Sequence, residues 1–185
     1  NRRLIVPFSA PTTAQPRPLQ STPPAHHYRA DDGTFVPGVT SVLKVIAKSN
    51  LIEWANQLGL HGIEYRPHLD SLARAGTLLH AKIEAELRGK RGPDESGYTG
   101  EQQRQAFAAF FHWSAWSRTH RLRALALEQP YVSTIHGYGG TIDCIAELDG
   151  EPLILDWKSS SRVYSSHLLQ VAAYQRLVRE NRGLS

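Results

Sequence analysis

Apolar residues recur along this chain with two different periods, and the change between them divides it. Between Pro37 and Thr119 the spacing is helical. The run "PGVTSVLKVIAKSNLIEWANQLGLHGI" offers Thr40 or Ser41 as an N-cap, then Val42, Leu43, Ile46, Leu51 and Trp54 at roughly helical intervals. A second helix is expected from Leu69 to Arg88, ending near Gly89. A third is expected from Glu101 to Thr119, where Phe107, Phe110, Phe111 and Trp116 recur every three to five residues and should face a core. Beyond Thr119 the pattern shortens. "RLRALALEQPYVS", "GYGGTIDCIAEL" and "EPLILDWKS" are β-compatible runs divided by turn signals, and "SSHLLQVAAYQRLVREN" returns to helical spacing.

Ahead of the helices, His27 to Val36 reads as a short hairpin around Asp32-Gly33. Pro7 to Pro24 is rich in Pro, Thr, Ser and Gln and has little to bury, so residues 1–26 read as an extended N-terminal arm. Residues 27–185 then form a single domain. The order of helices, three strands and a helix predicts an α/β (α+β) plan, a mixed central β-sheet flanked by helices with an N-terminal helical region.

The stretch "GTIDCIAELDGEPLILDWKSS" breaks the β pattern in one respect. Apolar residues flank an Asp149-Gly150 turn, yet Asp143, Asp156 and Lys158 stand where a buried strand carries valine or leucine. With Asp149 and Gly150 as the two turn residues, Leu148 faces Glu151, Ile145 faces Ile154, Asp143 faces Asp156 and Thr141 faces Lys158. Opposed residues on one face hold their Cβ atoms about 4.5–5.5 Å apart, so two carboxylates would lie side by side with a lysine on the same face. Like charges in that position destabilise a hairpin, and the simplest compensation is a divalent cation bound by hard oxygen ligands. The plain alternative is a solvated strand face with Asp143 on an exposed edge.

Composition sets outer limits. The 185 residues, 41% hydrophobic, suffice for one globular domain with a core. A formal charge of +4 permits an anionic partner without requiring one. The lone cysteine, Cys144, excludes an intrachain disulfide and a four-cysteine zinc or iron–sulfur site, and reads as a small core residue. No apolar run approaches the ~20 residues that cross a bilayer, and no secretory signal is visible, so an intracellular, soluble protein is expected. No methionine occurs, which reads as a natural N-terminus that is missing.

In order along the chain, "GTLLH" at Gly76–His80, Glu128 in "ALEQP", "GTIDCIAE", "LILDWKSS" and "QVAAY" at Gln170–Tyr174 resemble the PD-(D/E)XK nuclease superfamily. Within it they are most similar to the RecB-like exonuclease branch and the mitochondrial genome maintenance exonucleases. The resemblance covers roughly Pro37 to Glu180 and implies a restriction-endonuclease-like core. It makes His80, Asp143 and Asp156 metal ligands, adds the backbone carbonyl of Trp157, matches Glu128 to a family acid near the metal, and makes Lys158 the catalytic lysine beside Asp143 and Asp156. Gln170 and Tyr174 correspond to a motif that contacts the nucleic-acid strand. Ser159 and Ser160 stand where the family places hydroxyls near a phosphate. Taken alone, His80 would be a solvated helix residue and Tyr174 an amphipathic core residue. Family members with an iron–sulfur cluster need four cysteines, so none is expected here. The family fold also continues past the Gln-Tyr helix into a further strand, which implies a truncated chain or an edge left open or filled by a partner.

The function these readings imply is a Mg2+-dependent DNA exonuclease, with Mn2+ as a substitute, acting on single-stranded DNA or DNA ends and working in the cytoplasm of a bacterium or phage host, or in mitochondria. The competitors are a structure-specific endonuclease and a catalytically silent DNA-binding module of the same fold.

Overall fold

The computed structural model describes residues 4–7, 27–46 and 49–182. They fall into two compact units: Ile46–Thr119 with Lys158–Ser160, and the remaining described residues.

The first unit is helical. The long apolar stretch after Pro37 forms two helices rather than one: α1 (Val39–Leu43), which belongs to the second unit, and α2 (Ser49–Leu60). Gly38, not Thr40 or Ser41, is the N-cap of α1. Its β-branched residues lose rotamer freedom in a helix, and Val42 ends up 42% exposed while Val39 is buried. Helix α3 (Tyr65–Leu87) starts four residues earlier than expected, with Pro67 accommodated in its first turn. It buries Ala75, Leu78, Leu79 and Ile83 at i, i+3, i+4 and i+8, and Gly89 follows its end at φ 62°. Helix α4 (Gly100–Ser117) opens on a capping box: Gln102 N donates to Thr99 Oγ1 at 3.3 Å and Thr99 N to Gln102 Oε1 at 3.0 Å. It packs on α3 through a face that buries Gln102, Ala106 and Trp113, and Gln102 Nε2 donates to Ser71 Oγ at 3.2 Å. The expected aromatic core of this helix is only half realised. Phe110 stacks on Trp113 with ring centroids 5.5 Å apart, but Phe107 and Phe111 are 60% and 61% exposed, because they point away from the face that meets α3.

The second unit is built on a four-stranded sheet in the order β1 (Leu4–Pro7), β6 (Glu151–Asp156), β5 (Tyr138–Leu148), β4 (Leu122–Ser133). Every ladder between its strands is antiparallel, and the parallel element is a lone bridge between Gly38 and Gly139. Strand β1 lies inside the segment expected to be an extended arm: the chain there is extended, and it is paired along β6 from Leu4–Asp156 to Pro7–Leu153. Residues 8–26 of that arm lie outside the described residues. The ribbon β2 (His27–Arg29) and β3 (Phe35–Pro37) matches the predicted hairpin. Helix α5 (Ser165–Asn181) packs on the sheet and on α1, closing a core of Val39, Tyr131, Ile142, Ile145, Ile154, Tyr174, Leu177 and Val178. Among the described residues no helix is long and apolar enough to cross a membrane.

Candidate metal centre

The hairpin turn forms as its sequence dictates. Asp149 at φ 54° and Gly150 at φ 97° are both left-handed, the combination a two-residue turn needs to match strand twist. The start of β4 is fastened to it, because Arg121 N donates to Asp149 Oδ1 at 2.9 Å and Asp149 N to Arg121 O at 3.0 Å. From Leu148–Glu151 to Cys144–Leu155 the register follows the predicted one pair by pair.

The ladder stops one pair short of Asp143 and Asp156. Instead, Asp143 Oδ2 accepts a hydrogen bond from Trp157 N at 2.7 Å, and Asp156 is paired on its other side with Leu4. Lys158 lies beyond the end of β6, so it does not oppose Thr141. Thr141 pairs with Pro130, and its Oγ1 lies 3.0 Å from Tyr28 Oη.

A matching gap lies on the other flank of β5. Leu127 pairs with Cys144 and Gln129 with Ile142, but Glu128 and Asp143, between them, do not pair. Glu128 has φ 51°, a left-handed backbone uncommon for any residue but glycine and asparagine. The two-residue alternation resets at this level. Ile142 and Ile145 share one core cluster although strict alternation sends residues three apart to opposite faces, and Tyr131 and Ala126 do the same on β4. Such irregularities re-aim side chains beside functional sites. Here they bring a carboxylate oxygen of Glu128 within 4.8 Å of one of Asp143.

Glu128, Asp143 and Asp156 therefore occupy one level across three neighbouring strands. Asp143 is 8% and Asp156 3% exposed. Helix α5 supports this row. Gln170 Nε2 donates to Asp156 Oδ1 at 3.3 Å and to Tyr174 Oη at 2.8 Å, with both α5 side chains buried. A Cβ on Gly140 would lie 2.6 Å from Tyr174 Cε1, so only glycine lets the ring lie this close. Burial, with the Asp156 charge next, holds the Tyr174 phenol above its ordinary range, so it stays protonated. Burial, followed by the charges of Asp143 and Glu128, pushes the Cys144 thiol up to about 12 and leaves it a neutral core group.

The other expected residues are placed by their own unit. His80 is half-buried on α3, one turn after Gly76. In that same unit Ser159 Oγ lies 3.5 Å from where a Cβ on Gly76 would be, so the segment Lys158–Ser160 runs beside α3. Lys158 and Ser160 are half-buried and Ser159 is exposed.

The row suits a divalent cation by its donor chemistry. The Glu128 and Asp143 carboxylates, within 4.8 Å of each other, repel one another, and hard oxygen donors are what magnesium and manganese bind. Sequence reasoning placed Glu128 only by resemblance, and its strained backbone left no signal in the residue pattern. Residues 53–185 match the family model described as PD-(D/E)XK nuclease superfamily. No curated protein matches the chain.

Proposed function

We propose a specific activity for this chain, which belongs to the PD-(D/E)XK nuclease superfamily and so is a metal-dependent nuclease: a deoxyribonuclease of the RecB-like branch that removes nucleotides from single-stranded DNA ends. The observation that carries the catalytic part is the level row Glu128–Asp143–Asp156, bent out of the sheet ladder on both flanks of β5.

In this reading Asp143, Glu128 and Asp156 hold the cation, magnesium by preference, with His80 and the Trp157 carbonyl added by the family resemblance. The bound cation supplies positive charge at the scissile phosphate and lowers the pKa of water. Trp157 N–H fixes the Asp143 carboxylate, and the Gln170 amide fixes that of Asp156, so neither has to reorganise when substrate arrives. The Lys158 ammonium orients the attacking water and neutralises charge that builds on the phosphate oxygens. The attacking water gives up a proton to solvent as its oxygen bonds to phosphorus, the bond to the leaving sugar oxygen breaks, and that oxygen takes up a proton from solvent. Ser159 and Ser160 donate to the phosphate. Burial of Gln170 and Tyr174 favours support of Asp156 as their main work, with strand contact limited to their exposed edges.

Hydrolysis of end-labelled linear DNA with magnesium, repeated with a chelator and with Asp143→Asn and Lys158→Ala, tests the chemistry. Loss of cleavage in all three is expected, and an unchanged rate in either variant overturns the assignment. Circular single-stranded DNA separates the modes: an exonuclease leaves it intact, and a structure-specific endonuclease opens it.

A further inference from the structure

Helix α4 carries two phenylalanines on its solvent face. Arg104, Phe107, Phe111, Ala115 and Arg118 follow one another at i, i+3, i+7, i+11 and i+14, all exposed, opposite the side that buries Gln102, Ala106 and Trp113. We propose that this face is a binding platform for single-stranded nucleic acid, with the Phe107 and Phe111 rings stacking on bases and Arg104 and Arg118 meeting phosphates. The proposal rests on the nuclease reading above and adds where the strand is gripped outside the metal centre.

The spacing and chemistry fit that occupant. The two phenylalanines are one helical turn, about 6 Å, apart along the axis. Bases stacked in a duplex rise ~3.4 Å, so a stretched single strand can offer each ring its own base. A duplex cannot do this, because its base faces are covered. Arg104 forms an exposed ion pair with Glu101 three residues away, their side chains 74% and 57% exposed, and so weak a pair exchanges readily for a phosphate. His112, beside Phe111 with ring centroids 6.2 Å apart, borders the same face.

A second copy of the chain fits poorly. Two phenylalanines at 60% and 61% exposure offer roughly 250 Å², against ~800 Å² per partner in a stable interface. The face also reads arginine, two aromatics, arginine in either direction, so a paired copy would set arginine against arginine.

The test is fluorescence anisotropy of labelled oligo-dT with a chelator present, so that nothing is cleaved. Phe107→Ala/Phe111→Ala is expected to weaken binding by roughly thirty-fold or more. Phe107→Leu/Phe111→Leu should lose nearly as much, since it keeps apolar area and removes the rings. Arg104→Gln/Arg118→Gln should flatten the salt dependence by about two units of log–log slope. Turnover of a small diester, bis-(p-nitrophenyl) phosphate, should survive all three and reports that the fold is intact. Wild-type affinity in either phenylalanine variant, strand binding absent from the wild type, or a dimer in sedimentation that the alanine variant dissolves overturns the platform. Strand binding without any hydrolysis in magnesium overturns the nuclease reading and leaves the platform standing.

Discussion

The row of acids in the sheet and the outward face of α4 break opposite rules. In the sheet, charged groups sit inside: Asp143 and Asp156 are less exposed than several of the leucines. On α4, aromatic rings that belong inside face water. The difference lies in how each departure is held. The acids are embedded in a network, from Trp157 N to Asp143 and from Gln170 Nε2 to both Asp156 and Tyr174 Oη, so every change there propagates. The phenylalanines touch little, so changes there should stay local. One region stores its function in fixed geometry, the other in accessible surface.

That contrast can be broken most forcefully at Asp143. Asp143→Asn keeps an oxygen to accept from Trp157 N but loses the charge, so magnesium-dependent cleavage should fall by about a thousand-fold. Thermal stability in chelator should hold or rise, because repulsion with Glu128 is relieved; a large drop in melting temperature would mean that the acid is structural. Gln170→Ala comes next. Loss of a group that orients a metal-binding carboxylate costs about 10- to 100-fold in activity or metal affinity, and a weaker apparent magnesium affinity by calorimetry separates orientation from simple loss of packing.

Gly140→Ala sharpens the comparison from the stability side. The added methyl meets the Tyr174 ring at 2.6 Å and Leu177 Cδ1 at 3.2 Å, so a loss of about 1–3 kcal/mol is expected in chemical denaturation. The corresponding double change at Phe107 and Phe111 to alanine should alter stability by only about 0.5 kcal/mol or less. Equal losses would dissolve the distinction between the regions. The smallest effect is in the pH profile. Cys144 holds its proton in the fold up to about 12, above the unfolded value near 8.5. Its contribution is therefore complete below pH ~8.5 and is lost as pH climbs towards 12. Alkylation of the native protein at pH 8 should be negligible, and Cys144→Ala should flatten the alkaline limb of the stability curve.

Much of the second unit could be read from residues alone because its signals are local. An Asp-Gly pair between apolar runs set the turn, and the turn set the register as far as Cys144–Leu155. The reading failed where a backbone departs from the regular strand. Nothing in "ALEQP" announces that Glu128 turns left-handed, or that alternation resets at Asp143, because both depend on neighbouring strands. Helical periodicity correctly located α4 but not which of its aromatics face inward, since Phe110 borders the buried stripe while Phe107, three residues away, lies a further step round the helix towards solvent. Leu4–Pro7 was missed for the opposite reason: four residues beside a proline-rich tract carry too little pattern to show a partner 152 positions away, the separation of the pair Leu4–Asp156.

That distant pairing has a consequence for the order of assembly. The β5–β6 hairpin closes a two-residue loop and can form within microseconds. The β1 ladder must instead bring together two segments far apart in sequence, a closure whose entropy grows slowly with length but whose search is long. On a ribosome Leu4–Pro7 emerges well before β6. Until the two pair, the strand that ends in Asp156 offers an unpaired edge to any other chain. Deletion of Leu4–Pro7 should therefore raise aggregation during refolding more than the loss of one short ladder would suggest.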